Sequence, residues 1–162
     1  PARTHGAAGW QMNRHAVRMT QQLGFAYSSD ARGTHPFMPV MAAEIVACPQ
    51  VPTTLPTLDE LIGRDGLTAE NVHEHLLERT RHPPPGDHVF TLRAELEGLK
   101  LEPIFERLLD GWTGQGYTLT ALGALIAELD PQSIPRHELV RGEIPGRPGA
   151  LMMQGGAFLD ED

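Results

Sequence analysis

Cysteine is almost missing from this chain: Cys48 is the single one in 162 residues. That excludes an internal disulfide and any cysteine-rich zinc site. It fits a reducing compartment. Basic charge is also scarce, with 13 Lys and Arg against 21 Asp and Glu and a formal net charge of −8. No basic cluster occurs, so nucleic acid is not an expected partner, because phosphate contact needs a basic surface. No run approaches the ~20 apolar residues of a membrane span. The chain lacks a Gly-x-Gly-x-x-Gly turn, a Walker loop and a Gly-x-Ser-x-Gly elbow. It has no His-Glu-x-x-His either. His73 and His75 stand two apart, so a helix points them about 200° from one another. They read as a solvated helix face, and His82, His88 and His137, beside prolines or in turns, read as surface residues.

What the chain does have suits a folded domain. Forty per cent of its residues are hydrophobic, enough for a globular core rather than disorder. Proline, glycine and paired charges crowd Tyr27 to Asp65, which reads as long shaped loops around one strand. Loops of this kind often carry function. The opening Arg3-Thr4-His5-Gly6-Ala7-Ala8-Gly9-Trp10 reads as the middle of a protein, so further sequence is expected upstream.

Asn13 is placed to cap a helix to about Leu23, with Ala16, Met19, Thr20 and Leu23 on its inner side. Gly24 ends it. Residues 25–28 read as a strand, 29–42 as loop, 44–48 as a strand, and 58–62 as one helical turn. Thr68 caps a predicted helix over 69–81, with Val72 and Leu76 inward. His88-Val89-Phe90-Thr91-Leu92 reads as the clearest strand. Over 102–112, Leu101, Ile104, Phe105, Leu108, Leu109 and Trp112 follow the spacing of one buried helix face. Residues 117–119 read as a strand and 121–129 as a helix. From Pro131 the chain reads as extended and loosely packed. The alternation of strand and helix argues for an α/β fold with a parallel sheet or barrel.

Two sets of residues could carry chemistry. Asp30 and Arg32 lie just past a strand, in a loop pinned by Gly33 and Pro36. The aspartate could orient a ligand hydroxyl, and the guanidinium could clamp a phosphate or carboxylate. An Asx-turn with a local ion pair would account for them equally well. Arg93, Glu95 and Glu97 fall on one side of the chain if the strand at 88–92 extends. They would then gather at its C-terminal end, as active sites of βα folds do, or form a solvated rim. Trp10, after a glycine loop, could stack on a sugar face or anchor the core. Tyr27 precedes the Asp30 loop.

These residues carry a resemblance. Ala7-Ala8-Gly9-Trp10, Tyr27-Ser28-Ser29-Asp30-Ala31-Arg32-Gly33-Thr34, Pro49 to Thr57, Glu60 to Asp65, Thr91, Ala94-Glu95, Glu97-Gly98, Val140-Arg141-Gly142 and Gly146-Arg147 come in one order. In that order the chain resembles the 4-deoxy-4-formamido-L-arabinose-phosphoundecaprenol deformylase family of the polysaccharide deacetylase (NodB-like) superfamily. The resemblance implies the C-terminal half of an irregular (β/α)7 barrel, with the N-terminal half lying upstream. Residues 1–150 would be the C-terminal part of the catalytic domain and 151–162 a flexible tail.

The implied reaction is metal-dependent hydrolysis of a formamide on an undecaprenyl-phosphate-linked 4-formamido-arabinose, releasing formate, in the lipid A modification tied to antibiotic resistance. The implied cofactor is a divalent metal (zinc, manganese or cobalt) whose aspartate and histidine ligands belong to upstream motifs; no metal ligand is assigned in this chain. The implied setting is the cytoplasmic side of the bacterial inner membrane, as a peripheral protein. Its partners would be the lipid-linked aminosugar, the membrane surface and its own N-terminal half. Phe37, Met38 and Val40 could touch the lipid chain if exposed, or serve the core. Asp30 and Arg93 are the implied catalytic positions, and Trp10, Tyr27, Arg32, Glu95 and Glu97 the implied substrate-binding ones. One departure matters: Arg93 stands where the family's Thr-x-His-Ala-Glu pattern has its general-acid histidine. Arginine, with a pKa above ~12, is a poor proton donor near neutral pH. A deacetylase of another N-acylated sugar, or an inactive binding relative, are the alternatives.

Overall fold

The computed structural model describes residues 1–83 and 86–159. In chain order its elements are β1 (Thr4–His5), a 3-10 turn (Ala8–Trp10), α1 (Arg14–Gln22), β2 (Tyr27–Ser28), β3 (Met38–Met41) and β4 (Glu44–Ile45). There follow α2 (Leu58–Leu61), α3 (Val72–Arg79), a π-helical turn (Leu96–Lys100), α4 (Glu102–Gly114), α5 (Leu122–Glu128), β5 (Arg136–Gly142) and β6 (Leu151–Ala157). The architecture is mixed α/β. The chain divides into two compact units: Pro1–Thr54 together with the chain from Leu122, and Leu55–Ala121.

The first unit holds every strand. β1 and β2 pair in parallel, Thr4 opposite Tyr27 and His5 opposite Ser28, with α1 as the connection. The Asn13 side chain accepts from the Ala16 N–H at 2.9 Å and starts α1. Gly24, at φ 68°, ends it, in the left-handed conformation that glycine takes without strain. The buried side of α1 is Val17 and Thr20, while Met19 and Leu23 are exposed. The helix is therefore rotated from its expected setting, because the Thr20 hydroxyl satisfies itself on the Val17 carbonyl at 2.7 Å and can be buried. Beyond β2, Ser28 bridges to Gln50 in parallel, so a third extended segment continues the parallel pattern.

The second sheet runs β4-β3-β5-β6. β3 and β5 are parallel, and the two outer pairings are antiparallel. Residues 38–41, expected as loop, form β3. Pro39 is tolerated there because a ladder needs only alternate N–H groups from a strand. The region from Pro131, expected to be loosely packed, instead forms β5 and β6. Residues 151–157 of the expected tail are thus strand, and residues 160–162 lie outside the described part. Between the sheet and α1, Val17, Ala31, Phe37, Val46, Cys48, Leu139 and Met152 form one core. Phe37 and Val40 are buried and Met38 half-buried, so the first two are core residues and offer nothing to a lipid.

The second unit has no strand among its described residues. Val89 takes one backbone bond, from the Leu55 N–H at 3.1 Å, and residues 88–92 form no ladder. Residues 117–119 form none either. High β-propensity makes a strand only where a neighbouring strand is available. The core here is Leu55, Leu58, Val72, Leu76, Leu101, Ile104, Leu108 and Trp112, the stripes expected of α3 and α4. Thr80 organises its polar edge. Its hydroxyl accepts from Trp112 Nε1 at 3.0 Å, and its carbonyl accepts from the Tyr117 hydroxyl at 2.8 Å. His73 is buried, not solvated, whereas His75 is exposed. His88 and His137 are half-buried rather than on the surface.

The turn between β3 and β4 is strained. Ala42 and Ala43 both have positive φ, 53° and 61°. A two-residue hairpin turn of this hand favours Asn-Gly, because a Cβ costs roughly 1–2 kcal/mol in the left-handed region. The double substitution Ala42→Asn and Ala43→Gly should raise the unfolding free energy by about 1 kcal/mol. Urea denaturation measures it; an unchanged midpoint would mean that the turn is not strained in solution.

Candidate functional site

The first unit gathers a polar cluster around Asp30, whose side chain is fully buried. Its Oδ1 accepts from the Ala7 N–H at 2.8 Å and lies 2.8 Å from His5 Nδ1. Its Oδ2 accepts from Gln50 Nε2 at 3.5 Å, and its own N–H donates to Gln50 Oε1 at 3.0 Å. The same Gln50 nitrogen donates to the Ser28 hydroxyl at 2.8 Å. One carboxylate therefore ties the end of β1, the loop at Ala7 and the segment at Gln50 to the end of β2. Burial of an unpaired carboxylate would be costly, and these contacts offset it.

The loop that Asp30 holds ends in Trp10. Gly9 and Trp10 both have positive φ, 60° and 56°. For a bulky residue this conformation is rare and costs on the order of 1–3 kcal/mol, so it persists only where its surroundings enforce it. Here the indole Nε1 donates to Thr53 Oγ1 at 3.2 Å. The Arg32 guanidinium lies over the ring, 4.6 Å from its centroid, and that of Arg147 at 5.1 Å. Arg32 also donates from Nε to the Thr53 carbonyl at 3.3 Å. Its backbone N–H donates to the Met152 carbonyl at 2.9 Å and its carbonyl accepts from the Gln154 N–H at 2.7 Å, both on β6. Trp10 is buried. It is the platform under two cations and offers no free face to a sugar, as the stacking role would require. Tyr27 is half-buried, with its hydroxyl 3.7 Å from where a side chain at Gly123 would begin.

Arg93, Glu95 and Glu97 belong to the second unit. The alternation expected for them fails, because residues 96–100 form a π-helical turn. Glu97 is buried and accepts the Arg93 N–H at 2.7 Å, which makes it a cap for that turn. Arg93 reaches Asp59 at 3.2 Å and, like Glu95, is exposed. Glu60 accepts the Thr57 N–H at 3.0 Å and fixes the start of α2. Among the described residues, no group of three or more His, Cys, Asp or Glu is arranged to hold a metal ion. No helix among them is long and apolar enough to cross a membrane.

Sequence reasoning found Trp10, Asp30 and Arg32 and missed their supports, His5, Gln50, Thr53 and Arg147. It also missed a histidine pair. His35 and His137 meet with Nε2 atoms 3.1 Å apart. Burial, and then the neighbouring His137, hold the His35 pKa below its ordinary value.

Two outcomes follow. Asp30→Asn replaces one acceptor oxygen by an NH2 donor, which must then face either the Ala7 N–H or Gln50 Nε2, and should cost about 1–3 kcal/mol of stability. Urea unfolding measures this, and a loss under 0.5 kcal/mol on that scale would mean that the carboxylate is dispensable. The second concerns pH. A histidine whose folded pKa is depressed stays neutral when native, while the unfolded chain binds a proton below about pH 6.5. Its stabilising share is complete above that value and is lost as pH falls toward the folded pKa. His35→Gln should therefore flatten the fall in stability between pH 7 and 5. Equal slopes in both proteins would remove His35 from the account.

No protein-family model matches the chain. Curated relatives do, two of them as follows. One is the "Probable 4-deoxy-4-formamido-L-arabinose-phosphoundecaprenol deformylase ArnD" of Shewanella sediminis (strain HAW-EB3), 33% identical over 156 residues, covering 95% of this chain and 48% of the relative. The other bears the same name, from Wigglesworthia glossinidia brevipalpis. It is 29% identical over 155 residues, covering 95% of this chain and 53% of the relative. The chain spans about half the length of these relatives. The resemblance read from its motifs is thus shown nearly end to end, as a partial match to the ArnD deformylases.

Proposed function

We propose that this chain, as a partial match to the ArnD deformylases, supplies the substrate-orienting wall of a deformylase acting in lipid A modification. The observation that carries the reading is the Ala7-Ala8-Gly9-Trp10 loop. It is strained at Trp10, it is tied down by a fully buried aspartate, and both belong to the motifs that carry the resemblance. Strain held in place by a rigid network is a mark of functional loops. The proposed substrate is an undecaprenyl-phosphate-linked 4-formamido-arabinose, and the products are the free amine and formate. The proposed fold context is the C-terminal half of a NodB-like barrel. The parallel β1–α1–β2 unit and its continuation at Gln50 support that. A peripheral position on the cytoplasmic face of the inner membrane goes with the lipid-linked substrate.

Each residue has a part in this reading. Asp30 is a positioning residue, since both of its oxygens are engaged with Ala7, His5 and Gln50. Arg32, braced on Trp10, offers a charged fork to an anionic part of the substrate. Arg93 stabilises negative charge on the tetrahedral intermediate in place of donating a proton. Glu97 supports Arg93 through its backbone, and Glu95 remains open to sugar hydroxyls. Tyr27 lines the approach from β2. The divalent metal of this chemistry does not fit the residues present. Among the described residues no group of three or more Asp, His, Glu or Cys could hold it, and the Asp30 oxygens are already used. Its ligands are assigned to upstream sequence, and no step is routed through them here.

The test is formate release by the full-length protein from the lipid-linked formamido-sugar, with the acetamido analogue beside it. Formate alone is expected. Acetate would favour a deacetylase of another N-acylated sugar, a reading that the arginine at position 93 motivates. Neither product would leave a binding relative. Arg93→His should restore a titratable acid and raise turnover about tenfold or more, general-acid catalysis being worth about 10²–10⁴. Unchanged turnover in that variant would exclude position 93 from proton transfer.

A further inference from the structure

We infer that His35 and His137 form a two-imidazole site for a divalent transition-metal cation, built by the pairing of β3 with β5. The argument starts from hydrogen-bonding capacity. His137 Nδ1 lies 3.0 Å from the Gly155 carbonyl oxygen. A carbonyl only accepts, so Nδ1 carries the proton and the Nε2 of neutral His137 is a bare lone pair. That lone pair faces His35 Nε2 at 3.1 Å.

The other ring is fixed in the same way. The Thr34 hydroxyl donates to Gln154 Oε1 at 3.3 Å, and Oε1 also accepts the Thr34 N–H at 2.8 Å. His35 Nδ1 lies 2.9 Å from that hydroxyl oxygen, which can accept its proton. The Gln154 amide, with Oε1 held toward Thr34, turns Nε2 toward His35 Nε2 at 3.0 Å. His35 Nε2 is therefore a lone pair as well. In the neutral pair neither Nε2 carries a proton: His35 Nε2 accepts the Gln154 N–H, and His137 Nε2 lies 3.1 Å from it.

A metal cation suits that geometry. Two nitrogens bound at ~2.0–2.1 Å to one tetrahedral zinc lie about 3.3 Å apart, close to the 3.1 Å seen. A protein oxygen on the far Nδ1 of each ring is the support that metal-bound histidines use to fix tautomer and orientation. Both rings are half-buried and Thr34 is exposed, so a cation can enter and keep water at its remaining positions. On binding, His35 exchanges the Gln154 N–H for the metal. The Gln154 side chain is packed so closely on the loop that a Cβ at position 33 would sit 2.4 Å from its Oε1. Gly33 thus leaves room for the amide that orients the site.

The experiment is a calorimetric titration of ZnCl2, and of NiCl2 separately, into the full-length protein at pH 7.5. Wild type is compared with His35→Gln and His137→Gln. Wild type should bind one equivalent more than either variant, or bind that equivalent at least tenfold more tightly. The difference should vanish at pH 5, where protons displace the metal. Identical isotherms for wild type and both variants would overturn the proposal. Should a variant fail to fold, imidazole nitrogen resonances of the wild type decide. Zinc must move Nε2 of His35 and His137. If only protons move them, the pair shares a proton and the metal site is refuted. Neither readout uses deformylase activity, so the site and the proposed function stand or fall separately.

Discussion

The buried carboxylate of Asp30 is the constraint on which the first unit depends. It receives a backbone N–H from Ala7, faces His5 and meets the Gln50 amide. Ala7 and His5 lie on one stretch of chain and Gln50 on another, so one side chain ties both to the end of β2. Inside a low-dielectric interior such bonds are strong, and each missing partner is correspondingly expensive. This explains how Gly9 and Trp10 can hold a conformation that a free loop would leave. The strain at Trp10 is in turn used, since it lays the indole where Arg32 and Arg147 rest on it. A cation over an aromatic ring gains from about 0.5 kcal/mol when exposed to 2 or more when desolvated. Arg32 is buried, nearer the second case.

The two units are built on different principles. The core of the second is a stripe of leucine, isoleucine and valine with one tryptophan, closed by the Thr80 edge. Hydrophobic burial there is indifferent to small displacements. The first unit buries Ser28, Asp30, Arg32, Gln50 and Thr53 beside its apolar core. Replacing such a polar network by hydrophobic groups often leaves stability unchanged or improved. What the network contributes is one geometry in place of several. That is the expected investment of a wall that must present charge at fixed positions.

Local signals were legible in the sequence and distant pairings were not. α1 could be read from Asn13 and Gly24, and α4 from its stripe, because caps and helix faces involve residues within a few positions. The strand at 88–92 was expected from composition, but among the described residues no strand lies beside it to pair with. β5 and β6 lay hidden in a stretch rich in proline and glycine, yet its prolines fall outside the strands: Pro135 precedes β5, and Pro145 and Pro148 sit in the connection to β6. The same limit applies to the site. Trp10, Asp30 and Arg32 stood in motifs. Their partners Gln50, Thr53 and Arg147 came near only through the fold.

His35 and His137 mark where sequence reading stops, being 102 positions apart. Taken singly, one sits beside a proline and the other beside an arginine, and neither spacing suggests a pair. They meet because β3 pairs with β5 in parallel, with Pro39 opposite His137, which carries His137 to the start of β3 and so to the loop holding His35. The His137 tautomer then follows from the Gly155 carbonyl, which only accepts, and that of His35 from the Gln154 amide nitrogen, which only donates. A histidine pair made by sheet register is therefore a property of the tertiary structure alone. The chemistry it permits depends on the proton inventory around the rings rather than on the distance between them. At the same 3.1 Å, a proton between the nitrogens would give an ordinary hydrogen bond. In the proposed site the Gly155 carbonyl takes the His137 Nδ1 proton and the Gln154 amide leaves His35 Nε2 unprotonated, so a cation that displaces Gln154 meets two unprotonated nitrogens.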